Sequence, residues 1–98
     1  MKTRFEWDPA KAELNKRLHG VSFETATEVF FDPFIVTQKD IVDEHGEQRY
    51  QAIGRAKSQL LLLVAFVDRS QPGIEIIRFI SARKAERYEK SAYQDQFR

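Results

Sequence analysis

The stretch Ile74-Glu-Ile-Ile-Arg-Phe-Ile-Ser-Ala-Arg-Lys84 decides how this chain is read. Pro72-Gly73 precedes it, charged residues follow Ser81, and isoleucine and phenylalanine of strong β preference fill the interval. That pattern is a strand, and apolar residues on both parities place it at the centre of a sheet. Arg78 lies inside it. A buried guanidinium without a partner is too costly, so Arg78 must either meet a carboxylate or face a cleft.

Residues 60–67 form the most apolar run of the chain and belong beside the Ile74 strand, joined to it by a turn over 68–73. Residues 49–55 read as the preceding strand, with Arg49, Gln51, Ile53 and Arg55 on one face and Tyr50, Ala52 and Gly54 on the other. Residues 34–39 are its hairpin partner across the acidic, polar loop 40–48. At the N-terminus, residues 3–7 alternate as a short strand with Phe5 and Trp7 on one side. Asp8-Pro9 then starts a helix as N-cap and first helical residue, Ala10, Leu14 and Leu18 mark its apolar stripe, and Gly20 closes it. Lys16, Arg17 and His19 sit in its last turn, where positive charge complements the carbonyl end; this is a sufficient structural account of His19. Ser22 caps a second short helix with Phe23, Ala26, Thr27, Phe30 and Phe31 turned inward, ending before Asp32-Pro33. Beyond Ser81 a last helix carries Ala85, Tyr88, Glu89, Ala92 and Tyr93 at helical spacing, and residues 94–98 are expected to fray.

The expected order is β-α-α-β-β-β-β-α, an α+β domain over residues 1–98 with a four-stranded antiparallel meander in its second half. Ninety-eight residues hold one modest core. Two central strands that are apolar on both faces offer more surface than three short helices cover, which implies a covering partner or a self-dimer. With 42% hydrophobic and 32% charged residues, no bilayer-length apolar run and no signal-peptide pattern, the expected setting is the cytoplasm, without membrane attachment. The absence of cysteine excludes disulfides and thiolate metal sites.

Net charge is only +1, but it is unevenly spread. Residues 1–48 hold six Lys/Arg against ten Asp/Glu, a balance of −4, and residues 49–98 hold ten against five, a balance of +5. Positive charge thus gathers in the sheet-forming half. His19 and His45 with scattered carboxylates show no recognised metal-ligand spacing, and the four glycines are isolated, so neither a metal centre nor a phosphate-cradling loop is expected. What remains is a set of arginines on adjacent strands, Arg49, Arg55 and Arg78, with Arg83, Lys84 and the tyrosines of the last helix. Such a set suits cofactor-free RNA cleavage, in which the 2′-hydroxyl attacks the adjacent phosphate and guanidinium groups stabilise the charge gathering on its oxygens. Glu47, next to the strand of Arg49, is the candidate base, with His45 or Tyr93 as helpers. A non-catalytic module gripping RNA or an acidic partner would use the same residues.

Five separated stretches together resemble one family. They are Phe5-Glu-Trp-Asp-Pro-Ala-Lys-Ala, His19-Gly-Val-Ser-Phe-Glu, Phe31-Asp-Pro, Gly46-Glu-Gln-Arg-Tyr-Gln-Ala-Ile-Gly-Arg and Ile80-Ser-Ala-Arg-Lys-Ala. In this order they are similar to the BrnT family of bacterial type II toxins, small ribonucleases held inactive by a cognate BrnA antitoxin. The resemblance implies a RelE-like α+β fold, RNA as substrate, and an antitoxin that blocks the active face and carries a ribbon-helix-helix DNA-binding part, with a toxin dimer within a heterotetramer as the assembly. It implies Arg55, Arg78 and Arg83 as the basic active region, with Glu47, Arg49 and His19 at matching motif positions. Taken with the reading of the residues, the expected site has Arg55, Arg78 and Arg83 clamping the scissile phosphate, Glu47 as base, and Arg49, Lys84, His19 and Tyr93 as substrate-binding. The last helix departs from the family, having Tyr88 and Ser91 where arginine is usual.

Overall fold

The structure, a computed structural model, describes residues 2–98. Its elements follow the expected order: β1 (Lys2–Glu6), α1 (Pro9–His19), α2 (Phe23–Thr27) continuing into a 3-10 turn (Glu28–Phe31), β2 (Val36–Val42), β3 (Gln48–Arg55), β4 (Leu61–Asp68), β5 (Ile74–Lys84) and α3 (Arg87–Gln94). The five strands form one sheet in the order β1-β5-β4-β3-β2. β2 to β5 are the antiparallel meander, and β1 adds a parallel strand outside β5, pairing Lys2 with Ile74 through Glu6 with Arg78. Among the described residues no helix is long and apolar enough to cross a membrane.

β5 is the axis of the molecule. One of its faces carries Ile77, Phe79 and Ala82 into the larger core, with Phe23, Ala26 and Val29 of the α2 segment and with Ala52, Leu62, Val64 and Phe66 of the neighbouring strands. Phe79 is the hub of an aromatic cluster, with the rings of Phe5, Trp7, Phe23 and Phe30 at 5.5 to 5.7 Å. The opposite face is covered at one end only, where Tyr93 of α3 packs with Ile53, Leu61, Leu63 and Ala85. The surplus apolar surface expected on the central strands is thus largely answered by α2 and α3. What remains open on this second face mixes charged side chains with Ile80 and Ser81.

A bulge in β5 gives that open face its character. Ala65 pairs with Ser81 but Phe66 pairs with Phe79, so Ile80 is an extra residue in the ladder. Period two alone would put Arg78 and Ser81 on opposite faces; the inserted residue puts them on the same one.

Helix α1 is placed by polarity rather than by the expected stripe. Asp8 caps it by accepting the N–H of Ala10, and Gly20 closes it at φ 71°. Yet Leu14 and Leu18 face solvent, and the buried residue is Asn15. β1 ends at Glu6, leaving the far part of β5 with an open edge, and there the Asn15 carboxamide donates to Ala82 O (2.8 Å) and accepts from Ala82 N (3.0 Å). One side chain thus takes the place of the missing strand, which amphipathic spacing does not register. Phe31, expected inward, is 73% exposed, because the 3-10 turn rotates it away and brings Val29 in. Residues 94–98, expected to fray, hold the end of α3 and a 3-10 turn, with Gln96 donating to Phe34 O (2.8 Å) and Phe97 against Phe34.

Candidate active site

The expected site residues separate into two groups. Arg49 pairs with Val67 and Val67 with Arg78, while Glu6 lies opposite Arg78, so four strands set Glu6, Arg78, Val67 and Arg49 in one row on the open face. Backbones two strands apart lie about 10 Å from each other, which lets two arginine side chains reach one anion between them. Both line a concavity with Asp8, Lys11 and Glu47.

Neither guanidinium is consumed by the protein. Arg78 Nη1 is 3.5 Å from Glu6 Oε1, longer than a charge-assisted hydrogen bond. Arg49 Nε lies 3.5 Å from Asp43 Oδ2 and is buried without a hydrogen-bond partner. Asp43 is spent on its own loop: its Oδ1 accepts the N–H groups of His45 and Glu47, both at 2.9 Å, and this winds the β2–β3 turn around it. The Glu47 N–H is the chief reason its carboxyl is held below the usual aspartate range; burial opposes the shift, and the His45 N–H and Arg49 reinforce it. Asp43 therefore stays anionic and aims Arg49 without satisfying it.

Arg83 and Arg55 are occupied elsewhere. Arg83 donates twice to the buried carboxylate of Glu89, at 2.8 and 2.8 Å, tying β5 to α3. Glu89 also accepts the Glu86 N–H that caps α3, and these bonds outweigh burial and keep its carboxyl below the usual range. With the bulge between them, Arg83 and Arg78 stand opposite Leu63 and Val67, four residues and about 13 Å apart along β4, and the Arg83 guanidinium is turned to Glu89, so the two do not converge on one phosphate. Arg55 donates to Gln59 O (2.8 Å) and lies over the Tyr93 ring, 5.6 Å from its centroid. Tyr93 is itself buried, its hydroxyl donating to Asp32 Oδ2 (2.8 Å), and is thereby withdrawn from the substrate-binding place expected for it. Lys84 alternates to the opposite face from Arg83. The clamp expected from Arg55, Arg78 and Arg83 together is thus not assembled; the geometry joins Arg78 with Arg49.

Glu47 is close to Arg49 as expected, but both of its oxygens accept from Arg69, at 2.9 and 3.1 Å. His45, in the same loop, has a solvent-facing ring 3.6 Å from Glu44. His19, at the end of α1, lines a groove with Arg49 and Ser81. Among the described residues no group of three or more His, Asp or Glu is gathered to hold a metal ion. Lys11, Asp43 and Arg69 escaped the sequence reading. Lys11 stands inside the Phe5 motif and Asp43 three residues before Gly46, a turn spacing, so both left a signal; the Arg69–Glu47 pair, between two hairpins, left none.

The row of two under-satisfied arginines, with a lysine and proton-exchanging side chains around it, can bind a phosphodiester and stabilise added negative charge on it. Comparisons agree with such chemistry. Residues 7–89 match the family described as ribonuclease toxin, BrnT, of type II toxin-antitoxin system. The crystal structure of the Brucella abortus ribonuclease toxin BrnT superposes with a TM-score of 0.61 at 23% identity, covering 89% of this chain and 100% of that one. That likeness bears out the α+β, RelE-like fold. No curated protein matches the chain.

Proposed function

The chain belongs to the BrnT family of ribonuclease toxins of type II toxin-antitoxin systems, and we propose that it cleaves RNA on the open face of its sheet without a metal ion. Arg49 and Arg78 hold the scissile phosphate from two sides. The 2′-hydroxyl of the preceding nucleotide attacks phosphorus, its proton passing to a base, while the 5′-oxygen leaves with a proton from an acid, giving a 2′,3′-cyclic phosphate. Of the side chains around the arginine row, imidazole is the type that both takes and gives a proton near neutrality, which makes His45 and His19 the candidates for the pair. Glu47, doubly bound by Arg69, orders the two hairpins that frame the site.

The observation that carries this reading is the contrast among arginines: Arg69 and Arg83 each hold a carboxylate with two short bonds, whereas Arg49 and Arg78 sit at 3.5 Å from theirs on a solvent-facing row. A type II toxin has an antitoxin partner. In this reading the antitoxin is of the BrnA type with a ribbon-helix-helix part, two toxins join two antitoxins in a heterotetramer, residues 1–98 are one toxin domain, and the complex resides in the cytoplasm.

The test is incubation of purified protein with a defined RNA in EDTA-containing buffer, with the new ends mapped. Fragments ending in 2′,3′-cyclic phosphate are expected. Cleavage that appears only on adding a divalent ion, or that leaves a 3′-hydroxyl, would refute the mechanism.

A further inference from the structure

α1 presents to solvent the side chains that its pattern marks as apolar. Leu14 is 46% and Leu18 67% exposed, and they lie one helical turn apart on the same side, with Lys11 one turn earlier. Between this side of the helix and the bulge of β5 runs a groove of about 380 Å³, closed by Ile80 and Ser81 and reaching Arg49. Lys11, His19 and Arg49 line it, and no aspartate or glutamate does.

We propose that this groove is where the antitoxin docks, through an acidic amphipathic segment whose aliphatic side chains rest on Leu14 and Leu18 and whose carboxylates pair with Lys11 and Arg49. This rests on the family's toxin-antitoxin pairing. Charge complementarity selects the sign of the partner. The apolar part selects its class: nucleotides gain from aromatic stacking platforms, and this groove offers two leucines and an isoleucine, which suit the aliphatic stripe of a peptide helix or strand. A second copy of this chain is disfavoured by the same three cationic or protonatable side chains, which would meet across the contact. Because Arg49 belongs both to the groove and to the arginine row, a segment seated here withdraws that guanidinium from RNA. Inhibition then needs no change in the toxin's shape.

The experiment uses the full chain and, as probe, its purified cognate antitoxin, with binding measured by titration calorimetry and RNA cleavage measured on the free toxin. Gln has helix propensity close to Leu, so Leu14→Gln, Leu18→Gln keeps α1 folded. Its affinity for the probe is expected to fall at least tenfold while cleavage by the free toxin stays within twofold of the parent. In single variants, Leu18→Glu is expected to bind at least threefold more weakly than Leu18→Lys, because it places a carboxylate against an acidic partner. Unchanged affinity in the double variant, or Lys binding more weakly than Glu, overturns the proposal. Lost cleavage with retained affinity assigns the groove to RNA, and a free-toxin dimer dissociated by the double variant assigns it to a second copy; either also overturns it. If the parent cleaves no RNA, the ribonuclease reading fails by itself, since the binding comparison is read without it.

Discussion

Replacing Arg83 by methionine separates a structural arginine from a catalytic one. Methionine keeps most of the apolar stem and removes the guanidinium, leaving Glu89, which is 4% exposed, without its two 2.8 Å donors. Losing one partner of a buried pair costs about 3–5 kcal/mol. Here the Arg83 side chain is 30% exposed and Glu89 retains the Glu86 N–H, so the lower part of that range or slightly less, about 2–3 kcal/mol, is expected. For a chain of this length such a loss lowers the melting temperature by about 10–15 °C. Adding Glu89→Leu removes the stranded carboxylate and should restore at least half of the loss, although the α3 cap is then weakened. The assay is thermal unfolding followed by circular dichroism at pH 7, paired with RNA cleavage at 20 °C, where the variant is still folded. Cleavage within about threefold of the parent is expected, as for a side chain outside the reacting row. A variant that melts with the parent but no longer cleaves would refute the reasoning and return Arg83 to the phosphate.

Asn15→Ala leaves the N–H and carbonyl of Ala82 without partners at the open edge of β5; a loss of about 2–3 kcal/mol in urea unfolding is expected. A Cβ at Gly54 would stand 2.6 Å from Val29 Cγ1 and 3.0 Å from its carbonyl oxygen, so Gly54→Ala should destabilise by about 1–3 kcal/mol and be eased by Val29→Ala in the same chain. Burial pushes the Asp32 carboxyl up, but the N–H groups of Phe34 and Arg55, the Tyr93 hydroxyl and the Arg55 charge bring it below the usual aspartate range. A depressed carboxyl adds stability that is fully present above its unfolded value of about 4 and is lost as the pH falls through the folded value. Melting temperatures from pH 7 to pH 3 should therefore drop less steeply for Asp32→Asn than for the parent, and an equal slope would remove Asp32 from the account.

Strand and helix order were legible because each element is bounded by its own chemistry: Asp8-Pro9 and Gly20 around α1, Ser22 before α2, Pro72-Gly73 before β5. The parallel position of β1 was not, since alternation in residues 3–7 says nothing of which strand edge they join. Nor was the Ile80 bulge, an irregularity of pairing rather than of composition, and it decides which arginines share a face. Arg78 was visible as a guanidinium inside an apolar strand and stands on the open face. Arg83 looked equivalent in the sequence; its tie to Glu89 depends on where α3 lands, six residues on but across a turn in space. Leu14 and Leu18 show the same limit, because a helical stripe marks a surface that wants covering without naming what covers it.

The proposed reacting surface is the Arg49–Val67–Arg78 row. Its most direct measurement is the single-turnover cleavage rate of Arg49→Ala and Arg78→Ala beside Arg55→Ala, each at matched folded fraction in EDTA. Losing one donor group to a developing phosphate charge costs about 100-fold or more in rate. The first two variants should show that loss with parental melting temperatures, and Arg55→Ala should cleave within about threefold of the parent. Parental rates from folded Arg49→Ala and Arg78→Ala, with the loss appearing in Arg55→Ala, would contradict the account and move the site to the far end of β3.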